Sequence, residues 1–181
     1  PRVVQYIFAG ALIDLPAFLT LMYLQQRLTD IGLPTAFLGV VLMLCEVGYP
    51  LGCWIGGRLR PRRLGWLYAV CTAGCGLCTL AMGAAPLAGA VAGGAGFAMF
   101  GTIWSLHARK RLNDWFPSER RATLISVDSM AYSLLMIPAS PLTGWIGDVA
   151  GSAGAGLMAL GAVLLAAACM AALRALKNQN I

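Results

Sequence analysis

Arg58-Leu59-Arg60-Pro61-Arg62-Arg63 runs directly into Leu64-Gly65-Trp66-Leu67-Tyr68-Ala69-Val70-Cys71-Thr72-Ala73-Gly74-Cys75-Gly76-Leu77-Cys78-Thr79-Leu80-Ala81-Met82-Gly83-Ala84-Ala85, and no Asp, Glu, Lys or Arg follows until Arg109. A basic knot beside an uncharged stretch of this length marks a membrane boundary, because about 20 apolar residues in a helix cross about 30 Å of hydrocarbon. The whole chain follows this pattern. Of its 181 residues, 59% are hydrophobic and 11% charged, against roughly 25% charged in an ordinary soluble domain. So few charges cannot cover a small soluble fold, and a disordered chain needs the opposite composition. The sequence therefore predicts an all-α, polytopic membrane protein.

Six segments have the length and apolarity of spans: residues 3–24, 35–57, 64–85, 87–106, 122–146 and 153–173. None alternates apolar and polar residues as a membrane β-strand would. Turn-rich links, Thr29–Pro34, Gly83–Pro86 and Asp148–Ser152, alternate with the basic connections at 58–63 and 107–121. Arg2, the arginines of 58–63, the basic residues of 109–121, Arg174 and Lys177 make 12 of the 13 basic residues, all on one side of this topology. Arg27 stands alone on the other. Basic loops stay in the cytoplasm, so both ends of the chain are expected there, in a cell (inner) membrane. The net charge of +6 is accounted for by this asymmetry and does not point to nucleic acid.

Of the seven acids, Asp14, Glu46 and Asp128 fall inside proposed spans. An ionisable group in hydrocarbon faces a cavity or a partner, or takes up a proton, which makes these three the candidates for substrate or proton coupling. Asp14 lies before Pro16, which removes the helical partner of the Leu12 carbonyl; Pro50 does the same to the carbonyl of Glu46, with Gly48 and Gly52 beside it. Asp128 precedes Ser129 and Tyr132, and Arg121 sits at i−7 on the same face. The competing reading of each acid is a structural group bonded to a neighbouring helix. Pro138 and Pro141 free the carbonyls of Leu134 and Ile137 and are read as kinks, with a hinge role second. No basic residue lies within the six spans to pair with them, so Asp14 or Glu46 is expected to take up and release a proton during a transport cycle.

Other patterns carry less chemistry. Cys71-x-x-x-Cys75-x-x-Cys78 has the spacing of a cluster-binding loop, yet it falls in an uncharged span where thiolates are costly, so small side chains on a helix face are expected. His107 is the single histidine, and Ser105 lies on a different helix face from it, so no nucleophile–base pair or metal pair is expected and the chain is not read as an enzyme. No cofactor is implied. Gly89-x-x-x-Gly93 predicts a close helix approach. Leu112, Trp115 and Phe116 predict the apolar face of a short interfacial helix beside lipid phosphates.

Two regions resemble the major facilitator superfamily of transporters. Asn113-Asp114-Trp115-Phe116-Pro117-Ser118-Glu119-Arg120-Arg121-Ala122-Thr123, followed by Ser126, Asp128 and Pro141-Leu142-Thr143-Gly144-Trp145-Ile146-Gly147-Asp148, is similar to the family's N…P-x-E-x-R-A-T…S and P-x-x-G…G-D patterns, between and within its tenth and eleventh helices. Gly52-Cys53-Trp54-Ile55-Gly56-Gly57-Arg58-Leu59-Arg60-Pro61-Arg62-Arg63 resembles the family's basic loop, with Gly56 or Gly57 in place of its acid, which leaves a latch at this loop without its carboxylate. The resemblance implies helices seven to twelve of a twelve-helix transporter, with an N-terminal six-helix half elsewhere, in keeping with a chain that opens on Pro1. It implies secondary transport of a small solute by alternating access, with protons as the coupling ion and an exporter-like direction. It assigns a cytoplasmic loop motif to Arg58, Arg62, Arg63, Pro117, Glu119 and Arg121, while helix chemistry, apart from the resemblance, makes Pro16, Pro50, Pro138 and Pro141 the gating or hinge candidates. The alternative is a non-transporting scaffold or assembly subunit whose acids are structural.

Overall fold

The computed structural model describes residues 2–115 and 121–177. Its elements are α1 (Arg2–Asp30), α2 (Thr35–Glu46), α3 (Gly48–Arg58), α4 (Leu64–Ala84), α5 (Leu87–Trp115), α6 (Arg121–Ala150) and α7 (Ala153–Lys177). The described residues form no strand. Five spans are long and apolar enough to cross a membrane: α1, α2 with α3, α4, α5 and α7. The fifth expected span, α6, has 30 residues and the length to cross, but Asp128, Ser129, Ser133, Pro138, Ser140, Pro141 and Thr143 interrupt its apolar run. Helices of this length and apolarity indicate a multi-pass membrane protein.

The outer turns are closed by glycines in the left-handed conformation. Gly32 has φ +88°, and Leu33 N–H donates to the Leu28 carbonyl at 3.0 Å. Gly151 has φ +66°, and Ser152 N–H donates to the Gly147 carbonyl at 3.0 Å. A side chain there would strain the backbone, and these bonds occupy carbonyls that the helix ends leave open. Thus the Thr29–Pro34 and Asp148–Ser152 links work as their composition predicts.

Packing pairs the helices in a two-fold manner. The chain's first helix, α1, packs on α6, the second helix of the later three, while α5, the first of that set, packs on α2 and α3. The third helices, α4 and α7, make the most extensive contact with one another. Glycines set this last contact. A methyl on Gly76 would approach the Gly161 carbonyl to 3.1 Å and one on Gly161 the Gly76 carbonyl to 2.9 Å; Gly83 and Gly154 are related in the same way, at 2.5 Å each. Small residues allow backbones this near, which matters in lipid where no hydrophobic force draws helices together. The core runs through Ile13, Leu28, Cys71, Cys75, Met82, Trp104, Leu157 and Leu164, and Tyr68 meets Trp104 edge-on at 4.8 Å between centroids.

Three boundaries differ from expectation. The second span is two helices, interrupted at Val47. The first extends to Asp30, because Gln25, Gln26 and Arg27 continue the helical pattern until Gly32 ends it. The fourth continues through the basic stretch to Trp115, so Arg109–Asp114 belong to α5 and Leu112 is part of this helix rather than of a separate interfacial one. Nothing between Gly101 and Trp115 breaks a helix, and the Lys and Arg side chains there are good helix formers.

A candidate site on the open face of the bundle

Of the three proline-weakened spans, one departs from a regular helix. α1 passes through Pro16, and α6 through Pro138 and Pro141, without interruption. At the second span, α2 ends on Glu46, and Val47 N–H closes a tight turn onto the Leu44 carbonyl at 3.3 Å. Pro50 then lies in the first turn of α3, where a missing N–H costs no helical bond. Val47 keeps helical dihedrals (φ −57°, ψ −22°), so Glu46 sits at a tightened turn inside one continuous span, Thr35–Arg58. From the outer end of α2 at Thr35 it lies about 17 Å along the axis, near the middle of a hydrocarbon layer of about 30 Å.

Why the tightened turn falls here follows from the neighbour. Gly48, Gly52 and Gly56 are buried on one stripe of α3 against α5. A methyl on Gly48 would overlap the Ala95 carbonyl oxygen; one on Gly52 would come to 2.6 Å from the Met99 carbonyl, and one on Gly56 to 3.0 Å from Leu106. The glycines thus hold α3 against the α5 backbone. The spacing of four is visible in the sequence, but the helix it seats is not, because that depends on the α5 neighbour. Of the predicted pair on α5, Gly93 does seat another helix, at 2.6 Å from the Cys78 carbonyl, whereas Gly89 faces only Ala85 at its own end.

Glu46 is exposed, and with Tyr49 it borders a cleft of about 60 Å³ that also reaches Thr20, Cys45, Gly94 and Phe97. That volume suits a few waters rather than a solute. Asp14 is exposed on α1, and Tyr49 and Tyr132 lie within its electrostatic range. Asp128 on α6 also acts on Asp14, and Arg109 of α5 acts on both carboxylates. Helical rise puts Asp14 about 24 Å from the outer end of α1, and Asp128 and Arg109 each about 33 Å from the outer ends of their helices. The acid–base pair therefore sits at the inner boundary, with Asp14 nearer the middle.

Because the basic stretch continues α5, the field of Arg109 reaches Asp14 and Asp128 from beyond the expected fourth span. Glu46 makes neither ion pair nor hydrogen bond among the described residues. Arg58 of the loop motif lies over the Trp54 ring at 3.8 Å, and Arg62 and Arg63 are exposed ahead of α4. Pro117 and Glu119 lie outside the described residues, as do Phe116 and the side chain of Arg121, including its expected reach towards Asp128. Cys71 and Cys75 are buried within α4, and the Cys75 thiol donates to the Phe97 carbonyl at 3.9 Å.

At the outer end, Arg27 is not a free charge. Its Nε donates to the Gly83 carbonyl at 3.1 Å, at the C-terminus of α4, where a cation is favoured. One turn on, Asp30 accepts from Ala153 N–H at 3.4 Å, at the N-terminus of α7, and from Gln26 at 3.2 Å. The single exception to the charge asymmetry is thus a clamp between helices. Asp30 and Asp148 border an outer cleft of about 680 Å³ between α1 and the α6–α7 turn.

No family model, curated protein or solved structure matches this chain.

Proposed function

We propose that this chain is the second six-helix half of a secondary transporter of the major facilitator type. It works by alternating access in a cell membrane, moves a small solute coupled to protons, and is completed by an N-terminal half. The observation that carries the reading is Glu46: an exposed carboxylate at a tightened turn of its span, beside Pro50. Transporters place substrate and ion sites on broken helices at the midplane, and they are assembled from three-helix repeats. The reciprocal pairing of α1 with α6 and of α5 with α2 and α3 supports such a repeat. Of the acids, Glu46 is the choice for the proton because it alone sits at the turn where its span departs from a regular α-helix.

A scaffold role is the second reading, favoured by Arg109 acting on two acids from different helices, as a structural cluster would. Transport in proteoliposomes separates the two. The chain and its companion half are reconstituted, a pH gradient is imposed, and uptake from a panel of labelled small solutes is compared among wild type, Glu46→Gln and Asp14→Asn. Gradient-driven uptake that Glu46→Gln abolishes supports the proposal. Full gradient-driven uptake by both variants removes these acids as coupling groups, and no uptake by folded wild-type protein leaves the scaffold reading.

A further inference from the structure

α4 is the most enclosed of the membrane-length helices, with 50% of its apolar window buried. Between Leu64 and Ala84 only Gly65, Val70, Leu77 and Ala84 are exposed. Val70, Leu77 and Ala84 recur every seven residues and so lie along one narrow stripe. Seven residues before Val70 is Arg63, with Arg62 beside it. An open groove of about 490 Å³ lies between Pro61, Arg62, Arg63, Trp66, Leu67 and Val70. Its mouth is cationic and its floor is apolar.

We propose that this groove and stripe bind one anionic phospholipid of the cytoplasmic leaflet, its phosphodiester on Arg62 and Arg63 and an acyl chain along Trp66, Val70 and Leu77. The dimensions fit. Val70 lies about 10 Å and Leu77 about 21 Å below Arg63 along the helix, while one leaflet contributes about 15 Å of hydrocarbon. The stripe is flanked by the half-buried Trp66, Leu67, Ala73, Gly74, Leu80 and Ala81, so it offers a second helix about 10 Å across only a narrow line of contact. The charge is complementary as well. Arg58, Arg60, Arg62 and Arg63 surround the mouth, and no acid occurs in the sequence between Glu46 and Asp114. Arg63 and Trp66 already have partners within the protein, so they are held in place at the rim, and Arg62 is the more extended contact. Basic pockets at the cytoplasmic ends of spans suit anionic headgroups.

Native mass spectrometry of the full chain in detergent tests this, with phosphatidylglycerol and phosphatidylcholine of identical acyl chains as probes. Wild type should retain phosphatidylglycerol preferentially. Each arginine near an anionic surface is worth roughly a fivefold factor, so Arg62→Gln with Arg63→Gln should weaken retention about 25-fold. Arg62→Lys with Arg63→Lys should keep most of it. Val70→Trp with Leu77→Trp, which leaves the charges intact, should also reduce it. Equal retention of the two lipids by wild type overturns the proposal. So does unchanged retention in a folded glutamine variant, or in the tryptophan variant, which decides the matter if the glutamine variant does not fold. Displacement of the lipid by millimolar inorganic phosphate would reassign the arginines to a soluble anion and overturn it too.

Discussion

Arg109 changes what its neighbours can do. Its guanidinium acts on Asp14 and Asp128 from a third helix, so the two carboxylates and the cation form one electrostatic unit at the inner boundary. Removing one member leaves the others uncompensated, whereas removing a matched pair does not. We therefore expect Arg109→Gln and Asp128→Asn to be non-additive: in a double-mutant cycle read by thermal unfolding in detergent, the pair should couple by about 0.5 kcal/mol or more. Additive effects would show that the two charges do not sense each other. Arg27 makes a different kind of contact, a charged hydrogen bond to a single carbonyl of α4. Arg27→Leu should cost about 1–3 kcal/mol, read as a lowered melting temperature, and an unchanged melting temperature would mean that the Gly83 bond contributes nothing.

At the scale of elements, glycine stripes decide which helices touch. Gly48 and Gly52 admit the α5 backbone, whereas Gly57 and Gly39 have open space where a methyl would go. Gly52→Val should destabilise by about 1–3 kcal/mol through overpacking, while Gly57→Ala should be neutral or slightly stabilising, because alanine favours the helix. Equal effects at Gly52 and Gly57, measured by thermal unfolding, would contradict this packing. The comparison also explains what could be read in advance. The spans, the turns at Gly32 and Gly151, the weak points at Pro16 and Pro50 and the three intramembrane acids follow from hydropathy, helix chemistry and the cost of buried charge, all local properties. Which weak point tightens depends on a neighbour: α3 is pressed onto α5 by its glycines. The cation near Asp14 was hidden for a similar reason. Arg109 was assigned to a loop because it is basic, yet charge limits where a membrane ends and not where a helix ends.

For the whole molecule, the charge map and the helix contacts make one joint claim about orientation. Arg27 with Gly83, Asp30 with Ala153, and Gly83 with Gly154 bring the ends of α1 and α4 and the start of α7 together. A methyl on Gly65 would lie 3.7 Å from Ala175, so the start of α4 and the end of α7 share the opposite end. The basic residues of 58–63 and 109–111, with Arg174 and Lys177, fall at that second end, while Arg27, alone at the first, is consumed by a helix terminus. We expect retention of basic segments in the cytoplasm to set the direction of the spans together, since antiparallel packing leaves no single helix free to invert. In a background with Cys53 and Cys169, the exposed cysteines, replaced by serine, Thr35→Cys should react with a membrane-impermeant maleimide added outside sealed cells. Arg60→Cys and Asn113→Cys should react only after permeabilisation. Labelling of either from outside would reverse the orientation, moving the arginine-headed groove of α4 to the outer leaflet. Labelling of all three from outside would contradict the fold itself: α2 with α3, α4 and α5 make three crossings from Thr35 to Asn113, an odd number, so these two positions lie on opposite sides whichever way the bundle is inserted.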